Sequence, residues 1–181
     1  SGPLATYRNG PVSSNVRPRM NYLEQLAAEW YEYQGYFVRR NIHVGKRTAG
    51  GYECELDVVA FHPENKHLVH IEPSMDASSW AIREERYRKK FEAGKKYIPT
   101  LFAGLDAPLQ VEQIALFEFA STTNHKTLAG GRVMLVSELF AEIAKTIRKK
   151  KVASAAVAQQ YPILRTVQFM CQYATVIASE A

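Results

Sequence analysis

Cysteine is scarce in this sequence. There are two among 181 residues, Cys54 and Cys171, and neither belongs to a CxxC pair, so neither suggests a zinc site. Long apolar runs are missing too. The longest, near the C-terminus, is broken by Arg165, Gln168 and Gln172, so no membrane span is expected. No secretory leader pattern opens the chain. Together with isolated cysteines, that fits a reducing, cytoplasmic setting. The basic glycine-rich stretch GKRTAGG, 45–51, lacks the GKS or GKT ending of a P-loop, which excludes that phosphate-binding motif. Internal repeats and low-complexity runs are absent. The opening Ser1-Gly2 looks like the remnant of a removed tag and stays outside the fold reading, which leaves native residues upstream an open question.

What is present is an ordinary globular composition, 46% hydrophobic and 23% charged, of a length suited to one domain with a substantial core. The net charge is +5 and the pI about 9.2. That excess permits nucleic-acid binding and equally describes a plain basic surface.

Residues 1–20 carry Gly, Pro, Ser, Asn and Arg without apolar periodicity and read as a flexible arm. Asn21 has N-cap chemistry, and Glu24 stands at capping-box spacing. Leu23, Leu26, Ala27, Trp30 and Tyr31 then follow a helical period up to Gly35. Strands are predicted over 36–44, 52–62 and 67–74, with PENK, 63–66, as the turn between the last two. A charged helix capped by Ser78 or Ser79 runs over 79–97 towards Pro99, with Trp80, Tyr87, Phe91 and Ile98 on its apolar face. Further strands are expected at 112–120 and 132–137, separated by a loop, 121–131. A helix over 138–151 and another from about 153 to 174 complete the chain. This order predicts an α/β (α+β) fold, a mixed sheet flanked by helices with a C-terminal helical extension.

The hairpin carries the chemistry. With His62 opposite His67, Val59 faces His70 and Asp57 faces Glu72. If the ladder continues, Glu55 faces Ser74 and Glu53 faces Asp76. Strand alternation then puts Glu53, Glu55, Asp57, Glu72 and Asp76 on one face and Cys54, Leu56, Val58, Ala60, Val69 and Ile71 on the other. Opposed carboxylates, with Cβ atoms ~5 Å apart, repel. A shared proton, a bound cation such as Mg²⁺, or simple exposure to water would each relieve them. His70 is the one histidine expected on that face, as a proton shuttle, an outer support, or a satisfied, partly buried side chain. The run Arg148-Lys149-Lys150-Lys151 could grip phosphates, and equally suits a helix C-terminus.

NYLEQLAAEWYEYQGYFVRRN, GGYECELDVVAF and LVHIEPS, in this order within about 21–120, resemble the PD-(D/E)XK nuclease superfamily with its restriction-endonuclease-like fold. The resemblance implies phosphodiester hydrolysis with Mg²⁺ or Mn²⁺ held by Asp57 and Glu72, with Glu24 and Glu55 as further acidic contributors. The departure is Ser74, which stands where that family has lysine. A serine can orient a water but cannot supply positive charge. Three readings stay open. A cation elsewhere replaces the lysine, Lys90 first, then Arg83, Lys95, Arg88 or Lys46. Or metal and serine suffice for slow or altered hydrolysis. Or the site is retired and the fold binds. The expectation is a restriction-endonuclease-like domain over 21–151 with a helical segment, 152–181, packed on it or forming a homodimer surface. Asp57, Glu72, Ser74 and Lys90 would do the chemistry on nucleic acid, with DNA ahead of RNA. The alternative is an inactive nucleic-acid-binding or protein-interaction module.

Overall fold

A computed structural model describes residues 21–108 and 110–179. The arm expected over 1–20 lies outside the described residues. Helix α1 (Tyr22–Tyr33) starts at Asn21, whose side-chain oxygen accepts from the Leu23 N–H at 3.1 Å. The other half of a capping box is not made, because Glu24 reaches across to Asn41 instead. Three antiparallel strands follow: β1 (Phe37–Lys46), β2 (Tyr52–His62) and β3 (His67–Ser74). Helix α2 (Trp80–Leu101) crosses to β4 (Glu112–Phe117), which pairs parallel to β3. The short β5 (Thr127–Leu128) turns into β6 (Gly131–Leu135), and α3 (Val136–Ile147), α4 (Val152–Ala155), α5 (Pro162–Gln172) and α6 (Ala174–Ser179) finish the chain. The result is one mixed six-stranded sheet, ordered β1-β2-β3-β4-β6-β5, flanked by helices.

Each sheet face has its own core. Leu23, Leu26 and Trp30 of α1, Ile143 and Ile147 of α3, and Leu164 of α5 pack on Val58, Val69, Ile71, Ile114 and Leu116. Tyr87, Phe91, Ala93 and Ile98 of α2 pack on the opposite face against Leu56, Val59, Phe61, Leu68, Ala115 and Phe117. Strands β3 and β4 are buried on both sides, β4 with the apolar run Ile114–Phe117, and β3 with polar His70 and Glu72 buried among apolar neighbours.

Three elements differ from the sequence expectation. Helix α2 continues through Pro99 to Leu101. A proline there removes one hydrogen bond near the helix end, while buried Ile98 and Phe102 anchor the last turn. The loop expected at 121–131 contains β5, only two residues long and so without readable periodicity. The C-terminal helix is three pieces, with Pro162 in the first turn of α5, where its fixed φ favours a start rather than an interior. Among the described residues, no helix is long and apolar enough to cross a membrane.

Candidate active site

The hairpin register is as the turn chemistry predicts, with His62 opposite His67 and Val59 opposite His70. The β2–β3 ladder stops at Val58 and Ile71. Past that point the strands part, so Asp57 and Glu72, Glu55 and Ser74, and Glu53 and Asp76 are not ladder pairs. Asn41 causes a matching break on the other side of β2. It adopts φ 51°, a left-handed conformation that asparagine tolerates, between the pairs Arg40–Val58 and Ile42–Leu56. Side-chain alternation slips there. Leu56 packs with Val59 and Phe61 on the α2 side, whereas Val58 packs with α1. Strict alternation would have placed Leu56 with Val58.

The slip brings Leu56 across to the α2 side, while Asp57, two residues from Val59, keeps the α2 side by alternation, where Lys90 waits. Lys90 Nζ donates to Asp57 Oδ1 at 2.7 Å and to Glu72 Oε2. The Asp57 backbone N–H, freed from the ladder, donates to Glu72 Oε1 at 3.2 Å. Three further groups fix Glu72. Tyr87 donates its hydroxyl to the Glu72 carbonyl at 3.0 Å. His70 Nε2 lies 2.7 Å from Glu72 Oε1. Gln113 Nε2 lies 3.3 Å from His70 Nδ1 and donates to the Phe91 carbonyl at 2.8 Å. That carbonyl can only accept, so it sets the Gln113 amide orientation and makes Nδ1 the acceptor of the imidazole. The ring proton then sits on Nε2 and points at Glu72. The arrangement leaves Gln113 Oε1 buried without a partner.

Burial governs the charges. Burial, then the negative charge of Glu72, push Asp57 up to about 7 against the pull of Lys90. Burial also raises Glu72, opposed by Lys90 and by the hydrogen bonds from Asp57. Burial, then the Lys90 charge, lower His70 to about 3, so the imidazole is neutral. Lys90 itself loses solvation, but Glu72 and Asp57 more than restore its proton affinity, which stands above the ordinary lysine value. The cluster therefore holds one firmly charged ammonium between two carboxyl groups, of which Asp57 changes protonation near neutrality.

Beyond β3 lies a second polar group. Ser74 Oγ donates to Asp76, and Arg86 also donates to Asp76 while its Nη2 stands 3.5 Å from Ser74 Oγ. The Ser78 backbone N–H donates to Asp76 Oδ1 at 2.9 Å. Burial opposes ionisation of Asp76, yet these donors hold its carboxyl well below the usual range. Arg83 is buried and stacked over Phe117 and Trp80, with Nη2 bonded to the carbonyls of Asp76 and Phe119 at 2.7 and 2.6 Å.

The remaining sequence candidates sit elsewhere. Glu24 accepts from Asn41 at 3.0 Å, and Glu55 lies 3.7 Å from His43. The buried glutamate of α1 is Glu29, which accepts from the backbone N–H groups of Ile163 and Leu164. Arg88 pairs with Glu84, and Lys46 lies opposite Tyr52 in the β1–β2 ladder. Sequence reasoning passed over Arg86 and Gln113. Arg86 was readable in principle, being one helical turn before Lys90. Gln113 had no signal, since its role depends on β4 lying beside β3.

As a cation site, the cluster offers one oxygen from each of two carboxylates, converging on the point Lys90 Nζ reaches. Among the described residues, no group of three or more His, Cys, Asp and Glu side chains is placed to hold a metal. A two-carboxylate set fits a hard ion that keeps waters and takes substrate oxygens, and does not fit a closed N/S-ligand site. No family model and no curated protein matches this chain.

Proposed function

We propose that the chain is a metal-dependent phosphodiesterase acting on nucleic acid, DNA in the first instance, with a restriction-endonuclease-like arrangement of its sheet. The observation that carries the reading is the reach of Lys90 from α2 to both Asp57 and Glu72. It supplies, from the helix, the positive charge that Ser74 cannot.

Asp57 and Glu72 would hold Mg²⁺ or Mn²⁺. When bound, such an ion polarises the phosphodiester and lowers the pKa of an attacking water. The chain's own residues do the rest. Tyr87, His70 and Gln113 would hold Glu72 in one orientation. Lys90 offsets one of the two carboxylate charges at rest, and beside a bound phosphate it would stabilise developing negative charge. Ser74, two residues along the same strand from Glu72, would position water.

A second reading rests on the same contact. Lys90 bonds both carboxylates and fills the point an ion would take, as a retired site kept for binding would. Calorimetry with Mn²⁺ and Mg²⁺, alongside cleavage of plasmid and single-stranded DNA, separates the two. The hydrolytic reading expects metal binding that disappears in Asp57→Ala, and metal-dependent cleavage that disappears in both Asp57→Ala and Lys90→Ala. Nucleic-acid binding with neither metal uptake nor cleavage would favour the binding module.

A further inference from the structure

We infer that Arg86 is a phosphate-gripping residue held at rest by Asp76, and that it exchanges this carboxylate for a backbone phosphate of the bound nucleic acid. The inference rests on the reading above and names an interaction that the lysine at position 90 cannot make.

Arg86 and Lys90 are four residues apart on α2, so their side chains stand one above the other on one helix face. Opposite them runs the end of β3, where Glu72 and Ser74 share a face. Lys90 takes the Glu72 end of this row and Arg86 the Ser74 end. The guanidinium therefore approaches the strand position that carries no cation of its own. A phosphodiester whose scissile group lies at Asp57 and Glu72 would present a neighbouring charged oxygen near Ser74. A planar guanidinium offers two parallel donors to such an oxygen pair.

Two arginines surround Asp76, and they differ in a way that assigns their roles. The Arg83 side chain is 3% exposed, lies under Trp80 and against Phe117, and is bonded to two backbone carbonyls. It cannot leave without stranding those groups. Arg86 is 41% exposed, and among the described residues its polar partners are Asp76 and Ser74. When it leaves, Asp76 keeps the hydrogen bonds from Ser74 Oγ and the Ser78 N–H, and the charge of Arg83, whose Nε lies 3.5 Å away without a hydrogen bond. Asp76 thus has enough donors without Arg86, so the exchange leaves no buried charge unpaired. An ion pair this exposed contributes little stability in water, which makes it replaceable by a doubly bonded phosphate.

The test measures affinity for a short fluorescein-labelled DNA, as single strand and duplex, with Ca²⁺ replacing Mg²⁺ and across a range of NaCl. Arg86→Ala should bind about 10-fold more weakly, the effect of deleting one charge-assisted hydrogen-bonding group. Its salt dependence should fall by about one phosphate. Arg88→Ala, which removes an exposed charge on the same helix, should change affinity less than twofold. Asp76→Asn should tighten binding about threefold, and the gain should vanish in the double variant with Arg86→Ala. Melting curves check that each variant folds. Equal affinities for wild type and Arg86→Ala would overturn the inference, as would equally weakened binding in Arg86→Ala and Arg88→Ala. So would a gain from Asp76→Asn that survives without Arg86. In each of these cases nucleic-acid binding itself stands. If the wild type binds neither DNA, the functional reading falls and this inference falls with it.

Discussion

Lys90 Nζ lies 2.7 Å from Asp57 Oδ1, an ion pair between residues 33 apart in sequence that joins α2 to β2. It exists because Asp57 shares the α2-facing side of β2 with Val59 and Phe61, and α2 lays Tyr87 and Phe91 against the same sheet face. Without the ammonium, two carboxyl groups would share a buried space with nothing between them.

Removing Lys90 is therefore a stability experiment as well as an activity experiment. Lys90→Ala leaves the pair uncompensated and should cost about 2–3 kcal/mol at pH 8, below the range for fully buried pairs because the lysine side chain is 25% exposed. The destabilisation should shrink at pH 5, where a carboxyl can take up a proton. Millimolar Mg²⁺ should restore part of it if the carboxylates bind the ion. Urea denaturation at both pH values, with and without Mg²⁺, reads all three effects. A variant as stable as wild type at pH 8 would mean that water already screens the pair.

The raised pKa of Asp57 fixes the sign of a pH effect. The folded protein holds the proton up to about 7, whereas the unfolded chain releases it near 3.8. Between those values the native state binds more protons, so stability falls as pH rises through the window and levels off above it. Lys90 acts in the opposite region. Its raised pKa contributes stability that disappears only above the ordinary value of 10.5. Asp57→Asn should flatten the profile between pH 4 and 7 (the window set by those two values). Relative to wild type, the variant should gain of order 2 kcal/mol from pH 5 to pH 8. Parallel profiles would place the titration on another group. If Asp57 must be ionised to hold a metal, cleavage should rise through the same region.

Much of this arrangement was legible because it is local. The Pro63–Lys66 turn sets the hairpin register, which carries Asp57 and Glu72 to the positions just past the last ladder pair, Val58–Ile71, where a hydrogen bond from the Asp57 N–H joins them. The apolar stripe of α2 follows from periodicity; the burial of the second face of β3 does not, since that face carries His70 and Glu72. The parting of the strands after Val58 was not legible, nor was the left-handed Asn41 opposite Asp57. Both depend on what the neighbouring strands do, and an asparagine in a strand has no required conformation. The roles of Gln113 and Glu29 were hidden for the same reason. Each bonds to an element distant in sequence, and neither stands in a motif.

Gly94 offers a test of how tightly α2 seats on His70. A glycine inside a helix ordinarily costs about 1 kcal/mol relative to alanine, so replacing it should stabilise. Here a Cβ would collide with the His70 imidazole and crowd the Gln113 amide. Gly94→Ala should instead destabilise by about 2–3 kcal/mol, the cost of overpacking a filled core. It should also displace His70 from Glu72 and, if the carboxylates hold an ion, weaken its binding by calorimetry. A gain in melting temperature would show that the helix can shift outward without penalty.

Glu29 decides whether the C-terminal helices stay attached. Its Oε2 accepts from the N–H groups of Ile163 at 2.9 Å and Leu164 at 3.1 Å, the first turn of α5. Pro162 opens that helix, and Tyr161 before it gives no side-chain cap. A carboxylate from α1 therefore does the capping, and its charge suits the positive end of the helix dipole. It is 2% exposed, and Gln25 Nε2 donates to its other oxygen at 2.8 Å. Glu29→Ala should cost about 2 kcal/mol and speed amide exchange at Ile163 and Leu164 far more than in β3 or β4. Glu29→Gln keeps an acceptor oxygen but removes the charge, so it should recover about half the stability. Equal protection of these two amides in Glu29→Ala and wild type would show that Leu164, buried against α1 and α3, holds α5 by packing alone.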